Sequence, residues 1–427
     1  MQVPNKRALA SWLYIATTGA SGLLLLVVAA RYLTPDVAGM WFTLQATTSF
    51  VMLAELGLGY TLMREVAYSK AGGADPRLRG THSKTVLKFL SLSLTAATFI
   101  GAIIWYYFTK NQSSTNASTQ YSLSHLWLLY LPTALLNLIA IPIRSLLEGS
   151  GLLHLERSSA IFSHFIQTLF ILLAAMIFGD PALMCLSTGL AALVNIAALV
   201  GIAVWRKSSL VLSGRPSLSF RSLLSASLDF FSVSLGAALT KFAFAPLLAV
   251  NVGAAELAPV FFVIKIFAAL ANAVAVLVNS ERARLATLYA EARHVEVKEL
   301  YRRIMRKSLV SSAALGIIAS IVLVYSPAIL AGKAYEVHWW VLALLCIDFI
   351  LNNCASVSAS FVNSCNRNPF KLSVFSSGLL SVGLLLVLMP AIGGEAAVLA
   401  QLLSGAMTSY WYNNYQAAKT LAEFKHG

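Results

Sequence analysis

The sequence predicts an all-α polytopic membrane protein of twelve transmembrane helices arranged as two six-helix lobes, and three observations lead there. First, the 427 residues are 58% hydrophobic and 11% charged, whereas a soluble domain carries roughly 45–50% apolar and about a quarter charged residues. Second, the apolar residues fall in runs of about 20, each long enough to cross a ~30 Å hydrocarbon layer as a helix. Third, the sparse basic residues gather in alternate gaps between those runs. A water-soluble globule is excluded, because too little polar surface exists to cover a core of this size. Disorder is excluded by the same composition.

Taken in order, Lys6 and Arg7 precede the first run, 8–30. It is longer than a signal-peptide core and has no cleavage site, so it reads as the first span. The second, 39–63, contains Glu55, and the runs 89–109, 111–143, 158–179 and 181–205 complete the first lobe. The second lobe begins with 228–250, holding Asp229 and Lys241, then 257–279 with Lys265 and the uncharged 308–332. Its remaining spans are 339–362 with Asp348, 372–394 and 396–418. Apolar character is continuous along each run instead of alternating, which excludes a β-barrel. The domain reading is a lobe over 1–205, a basic linker over 206–221 and a second lobe over 222–427.

Twelve spans place both termini on one side. Of the 31 Lys and Arg residues, 26 fall on that side, and only Arg31, Lys110 and Lys333 fall opposite. The positive-inside rule makes the first side cytoplasmic. The net charge of +14 is therefore topology, and no nucleic-acid partner is expected.

The same map bears on function. The outward loops are short, the longest running over 109–124, and the first, 31–39, has Asp36 as its one carboxylate. No HExxH, GxSxG or P-loop pattern occurs, so neither an enzyme nor an ATP-driven pump is expected, and no cofactor or metal. The cysteines are Cys185, Cys346, Cys354 and Cys365, without a CxxC pair. Cys346 and Cys354 lie about 12 Å apart by helical rise, too far to bridge.

An internal repeat divides the chain. A shift of 220 residues sets Asp36-Val37-Ala38 on Glu256-Leu257-Ala258, Trp41-Phe42 on Phe261-Phe262, and Arg64 on Arg284. Near 213, His125 and Trp127 meet His338 and Trp340. Six spans per half make the repeat parallel.

The opening stretch carries further information. It runs Arg31-Tyr32-Leu33-Thr34-Pro35-Asp36-Val37-Ala38-Gly39, then Glu55-Leu56-Gly57-Leu58-Gly59, then Met63-Arg64-Glu65. These residues resemble the start of polysaccharide-transporter (Wzx-type) oligosaccharide flippases of the multidrug/oligosaccharidyl-lipid/polysaccharide exporter superfamily. That family shows a YLxPxxxG turn, an acidic residue before LGL and a following arginine; Glu55 stands where many members carry Asp. The motif covers about the first 70 residues. The resemblance implies a V-shaped pair of bundles whose first, second, seventh and eighth helices line a central cavity. It also implies an undecaprenyl-diphosphate-linked oligosaccharide as substrate, and a polysaccharide polymerase and chain-length regulator as partners. The location it implies is the bacterial inner membrane.

Charge inside the membrane selects the candidate residues. Lys241 lies ten residues before Asn251 and Lys265 nine after Glu256. In a helical hairpin that puts both about 14 Å from the turn, near the middle of the layer. An unpaired cation there costs at least ~2.5–3.5 kcal/mol. Two ammonium groups at one depth suit a lipid pyrophosphate; the competing reading is a structural ion pair with Asp229, Asp348 or Glu55. Those carboxylates are also candidates to carry a coupling proton, since desolvation favours their neutral form. Arg64 and Arg31 are candidate substrate contacts, against the competing reading that they snorkel to the interface. Pro246 is a candidate hinge. The expected function is a flippase moving a lipid-linked oligosaccharide to the outer leaflet by alternating access. A drug/cation antiporter of the same superfamily stands second, and a membrane-embedded glycosyltransferase or polymerase third.

Overall fold

The computed structural model describes residues 6–59, 62–63, 66, 83–111, 122–205, 220–325, 337–365 and 369–424, and among these it contains helices and turns but no strand. The chain divides into two compact units, Met1–Leu33 with Met40–Ser234, and Thr34–Gly39 with Leu235–Gly427. The first unit holds α1 (Lys6–Tyr32), α2 (Pro35–Met52), α3 (Ser83–Lys110), α4 (Leu123–Gly149), α5 (Leu153–Leu173) and α6 (Pro181–Trp205). Helix α7 (Phe220–Phe242) runs across the division at Ser234. The second unit continues with α8 (Phe244–Asn251), α9 (Ala254–Ala290), α10 (His294–Tyr325) and α11 (Trp339–Ser364). It ends in α12 (Lys371–Ile392), α13 (Ala396–Met407) and α14 (Ser409–Glu423).

Ten segments are long and apolar enough to cross a membrane, and the last of them, Lys371–Glu423, is 53 residues long. A single helix of that length would measure ~80 Å, far more than a ~30 Å layer requires. Gly393, at φ +58, reverses the chain, and α12 packs back on α13. Dividing the last segment there makes eleven apolar segments among the described residues, the last of them the broken pair α13–α14, and α1 adds a shorter apolar stretch, Ala16–Tyr32. Phe99, Phe165, Phe178 and Val387 are exposed on helix exteriors, an arrangement that suits acyl chains and not water. The protein is a multi-pass membrane protein.

Local chemistry explains the helix ends. Thr34 precedes Pro35, which disfavours helical geometry at Thr34 and starts α2 with a ring already set for the first turn. Asp36 sits in that first turn and Arg31 in the last turn of α1, each complementing the dipole of its helix. Pro246 has no N–H for the Phe242 carbonyl and its ring crowds that oxygen, so the seventh span breaks at Ala243. The second span departs from the continuous helix expected over 39–63. It is interrupted by a tight turn, Leu53–Glu55, followed by Leu56 at φ 53 and Gly57 at φ 79, and helical residues resume at Leu58.

Packing follows membrane rules, with aromatic anchors and close glycine contacts. In the first unit Trp127 is fully buried, its Nε1–H donating to the Gly101 carbonyl at 2.9 Å. Phe108 meets the same indole edge-on at 6.2 Å. The pairs Trp41-Phe42 and Phe261-Phe262 are all buried, near the starts of α2 and α9. In the second unit α7 and α12 touch through Gly236 and Gly378: a Cβ on Gly236 would stand 2.4 Å from the Val374 carbonyl oxygen. Helix α9, at 37 residues or about 55 Å, outruns its apolar part. Beyond Ala275 its Leu285 and Leu288 join Val297, Tyr301 and Ile304 of α10 and Phe361 of α11 in a separate core.

Candidate functional site

Three of the charged residues singled out from the sequence meet in one place. A cavity of about 280 Å³ in the second unit is lined by Lys241 of α7, Lys265 of α9, and Asp348 of α11. Phe242, Phe244, Phe261, Phe267 and Phe349 form its apolar wall, and Asn272, Asn352 and Gln401 its neutral polar groups. The break at Ala243 leaves Lys241 one residue from the end of α7, beside Phe242 and Phe244. The Gly236–Gly378 contact fixes α7 about one turn earlier.

The two lysines are held differently. Lys241 is exposed within the cavity and Lys265 is half-buried. The Lys265 ammonium lies 4.8 Å from the centre of the Phe261 ring and 5.6 Å from that of Phe242, within cation–π range of both. Among the described residues no carboxylate oxygen comes within 4.0 Å of either ammonium. The expected alternative of a contact ion pair is therefore absent for the described carboxylates.

Asp348 is 4% exposed and its oxygens are occupied. The Tyr410 hydroxyl donates to Oδ1 at 2.5 Å, and Gln401 Nε2 donates to Oδ2 at 2.8 Å. Both donors come from the last span, which breaks at Thr408 between α13 and α14. Gly405 permits this. A Cβ there would stand 2.3 Å from the Tyr410 ring, so only glycine lets the ring fold back over α13. Further along, Ser358 of α11 donates to Asn414 Oδ1 at 2.6 Å and pairs with the Tyr301 hydroxyl at 3.0 Å. A ladder of hydrogen bonds thus ties α14 to α11.

The other candidates lie elsewhere. Glu55 belongs to the first unit, where its Oε1 accepts the Gly59 N–H at 2.7 Å. That bond satisfies a donor left free where the second span turns through Leu56 and Gly57. Arg31 is exposed at the end of α1. Arg64 and the side chain of Asp229 lie outside the described residues. The first unit pairs its interior charges instead: Glu156 stands 3.9 Å from Arg144 and 3.3 Å from Arg157, and Arg157 binds Glu148 at 2.9 Å. The Arg157 guanidinium also covers the Tyr14 ring at 4.5 Å. His164 and Gln167 line a small polar cavity there, about 50 Å³, with Asn137, Arg144 and Asn195.

Sequence reasoning missed Tyr410 and Gln401. Both are neutral, and a tyrosine near the end of an apolar run has the ordinary look of an interfacial residue. The signal that was present is Gly405, a residue without a side chain inside the last span.

No protein-family model and no curated protein sequence matches the chain. Solved structures do. A point mutant of the Vibrio cholerae MATE transporter VcmN superposes with a TM-score of 0.65 at 13% identity, over 98% of this chain and 97% of that one. A multidrug resistance MATE family transporter of the MOP superfamily, in an inward-facing conformation, gives 0.64 at 13% identity, over 95% and 96%. The lipid II flippase MurJ gives 0.62 at 10% identity, over 98% of this chain and 89% of that one. The chain has the fold of these transporters.

Proposed function

We propose that the protein is a flippase carrying an undecaprenyl-diphosphate-linked oligosaccharide from the cytoplasmic to the periplasmic leaflet of the inner membrane by alternating access. It does no covalent chemistry on the substrate, and both of its termini lie in the cytoplasm. The observation that carries the reading is the pair of lysines in one cavity with no carboxylate in contact among the described residues. A pyrophosphate brings a countercharge that no described carboxylate supplies by direct contact, and two compact ammonium groups suit it as point charges. The shared fold with MurJ, itself named as a lipid II flippase, supports the same class of substrate. The opening motif from Arg31 to Arg64 supports the oligosaccharide branch. Asp348 is the candidate for a coupling ion, because it is the described carboxylate that lines the same cavity as the lysines. A polysaccharide polymerase and chain-length regulator are the partners this function calls for.

A second reading keeps one observation of its own. Asp348 and five phenylalanines line the same cavity, a combination that also suits an apolar cation, as in a multidrug transporter. Charge reversal separates the two. Lys241→Glu and Lys265→Glu are each expected to lower export of the lipid-linked sugar about tenfold or more, a charge-assisted contact being worth ~1.5–3 kcal/mol. Insertion and protein level should hold, and Lys→Arg should keep part of the activity. Efflux of a cationic dye that rises on either reversal would replace the flippase reading with the multidrug one.

A further inference from the structure

The cavity contains a contradiction that the pair of lysines alone does not resolve. Asp348 lines the same cavity as Lys241, and each lies in the other's electrostatic field. Opposite charges in a poorly solvated cavity attract strongly, and Lys241 ends in a long flexible stem. Left alone, the two would close into an ion pair, and the ammonium would be spent. Yet they make no contact. Both carboxylate oxygens are engaged by other donors instead: Oδ1 by the Tyr410 hydroxyl and Oδ2 by the Gln401 amide.

Resting on the proposed anion site, we infer that Tyr410 and Gln401 are positioning residues that hold the Asp348 carboxylate off Lys241, and so keep that ammonium open for the pyrophosphate. The build of the last span supports this. Its helix breaks at Thr408, and the ring of Tyr410 occupies the space that a side chain on Gly405 would fill. An unbroken helix has no need of either feature. Neither donor need touch the substrate: they act through Asp348. Lys265 requires no such guard, because the rings of Phe242 and Phe261 flank its charge.

The test uses the purified full chain in detergent and inorganic pyrophosphate as the probe, with affinity read by calorimetry. Removing the donors with Tyr410→Phe plus Gln401→Leu should weaken binding about tenfold, which corresponds to leaving Lys241 open for about a tenth of the time. Each single variant should weaken it in the same direction and by less, which covers the case in which the double variant folds poorly. Adding Asp348→Asn to either single variant should restore affinity to within about twofold of the unaltered chain, since the competing charge is gone. A purely structural role for Tyr410 gives no such rescue. Equal affinity in the unaltered chain and both single variants overturns the inference and leaves the anion site standing; weakening without rescue by Asp348→Asn does the same. No binding by the unaltered chain overturns the anion site and this inference together.

Discussion

Two residues among those described adopt the left-handed backbone conformation without being glycine, Leu56 at φ 53 and Ala292 at φ 55. Ala292 caps α9, its N–H donating to the Tyr289 carbonyl and the Arg293 N–H to the Leu288 carbonyl, a task glycine performs without the strain of a Cβ. It is exposed in the turn between α9 and α10, where neighbouring Arg293 bonds Glu291 and Glu296 on its own. Ala292→Gly should therefore stabilise the protein by about 0.5–1 kcal/mol, the relief of strain exceeding the extra freedom of the unfolded chain, and a thermal melt in detergent would show it. Leu56 differs, because its side chain packs against Leu58 and Phe89, and glycine there would lose the contact along with the strain. The lysines and Asp348 were legible in the sequence because a charge inside an apolar run stands out. Glu55 stood out equally, yet its partner is the Gly59 amide four residues on, a bond that exists only because the helix turns at Leu56. Tyr410 and Gln401 were illegible for a related reason: both are neutral, and Tyr410 reaches Asp348 from beyond a break at Thr408 that no proline announces.

At the scale of elements, the apolar runs gave the spans almost as they stand, since length and continuity suffice for a helix in lipid. Interruptions were harder to foresee. Pro246 predicts its own break, whereas the turn at Leu53–Gly57 needs Leu56 in an unusual conformation and a carboxylate to receive the Gly59 amide. The α7–α8 break invites a direct experiment. Pro246→Ala restores the missing donor to the Phe242 carbonyl, so the two helices should join into one. Lys241 and Phe244 would then rotate relative to each other, and transport should fall several-fold without loss of thermal stability. The contact between Gly236 and Gly378 makes the complementary prediction. Gly236→Val forces α7 away from α12 and should cost about 1–3 kcal/mol, as overpacked interiors do, which a lower melting temperature would register.

For the whole molecule, composition alone excluded a soluble fold, and the exposed Phe99, Phe165 and Val387 agree with that exclusion. The side on which the ends lie is an expectation carried by charge. With 26 basic residues on one side and three on the other, a reporter fused after Lys425 should be active only in its cytoplasmic form; a reporter active outside would reverse the assignment of every loop. The lysines that line the cavity of the second unit are held differently from the paired charges of the first. The first neutralises Glu156 and Glu148 with Arg144 and Arg157, while the second leaves its lysines to an aromatic wall and a tethered carboxylate. The repeat seen in the sequence gave no hint of this division, because residues that differ between halves carry no signal when halves are aligned on what they share.

The rings beside Lys265 bear on timing. A carboxylate partner would have to give way to each arriving anion and return after each departure, adding a competitor to both steps. Phe242 and Phe261 present fixed quadrupoles, which attract the ammonium whether or not an anion is present. In the proposed anion site, nothing at this position needs to be displaced on arrival or recovered on release, so capture and dwell time would be set by the anion and the other lysine. The proposed carrier, which would have to let go of its cargo in every cycle, would gain from such a contact: it resets itself.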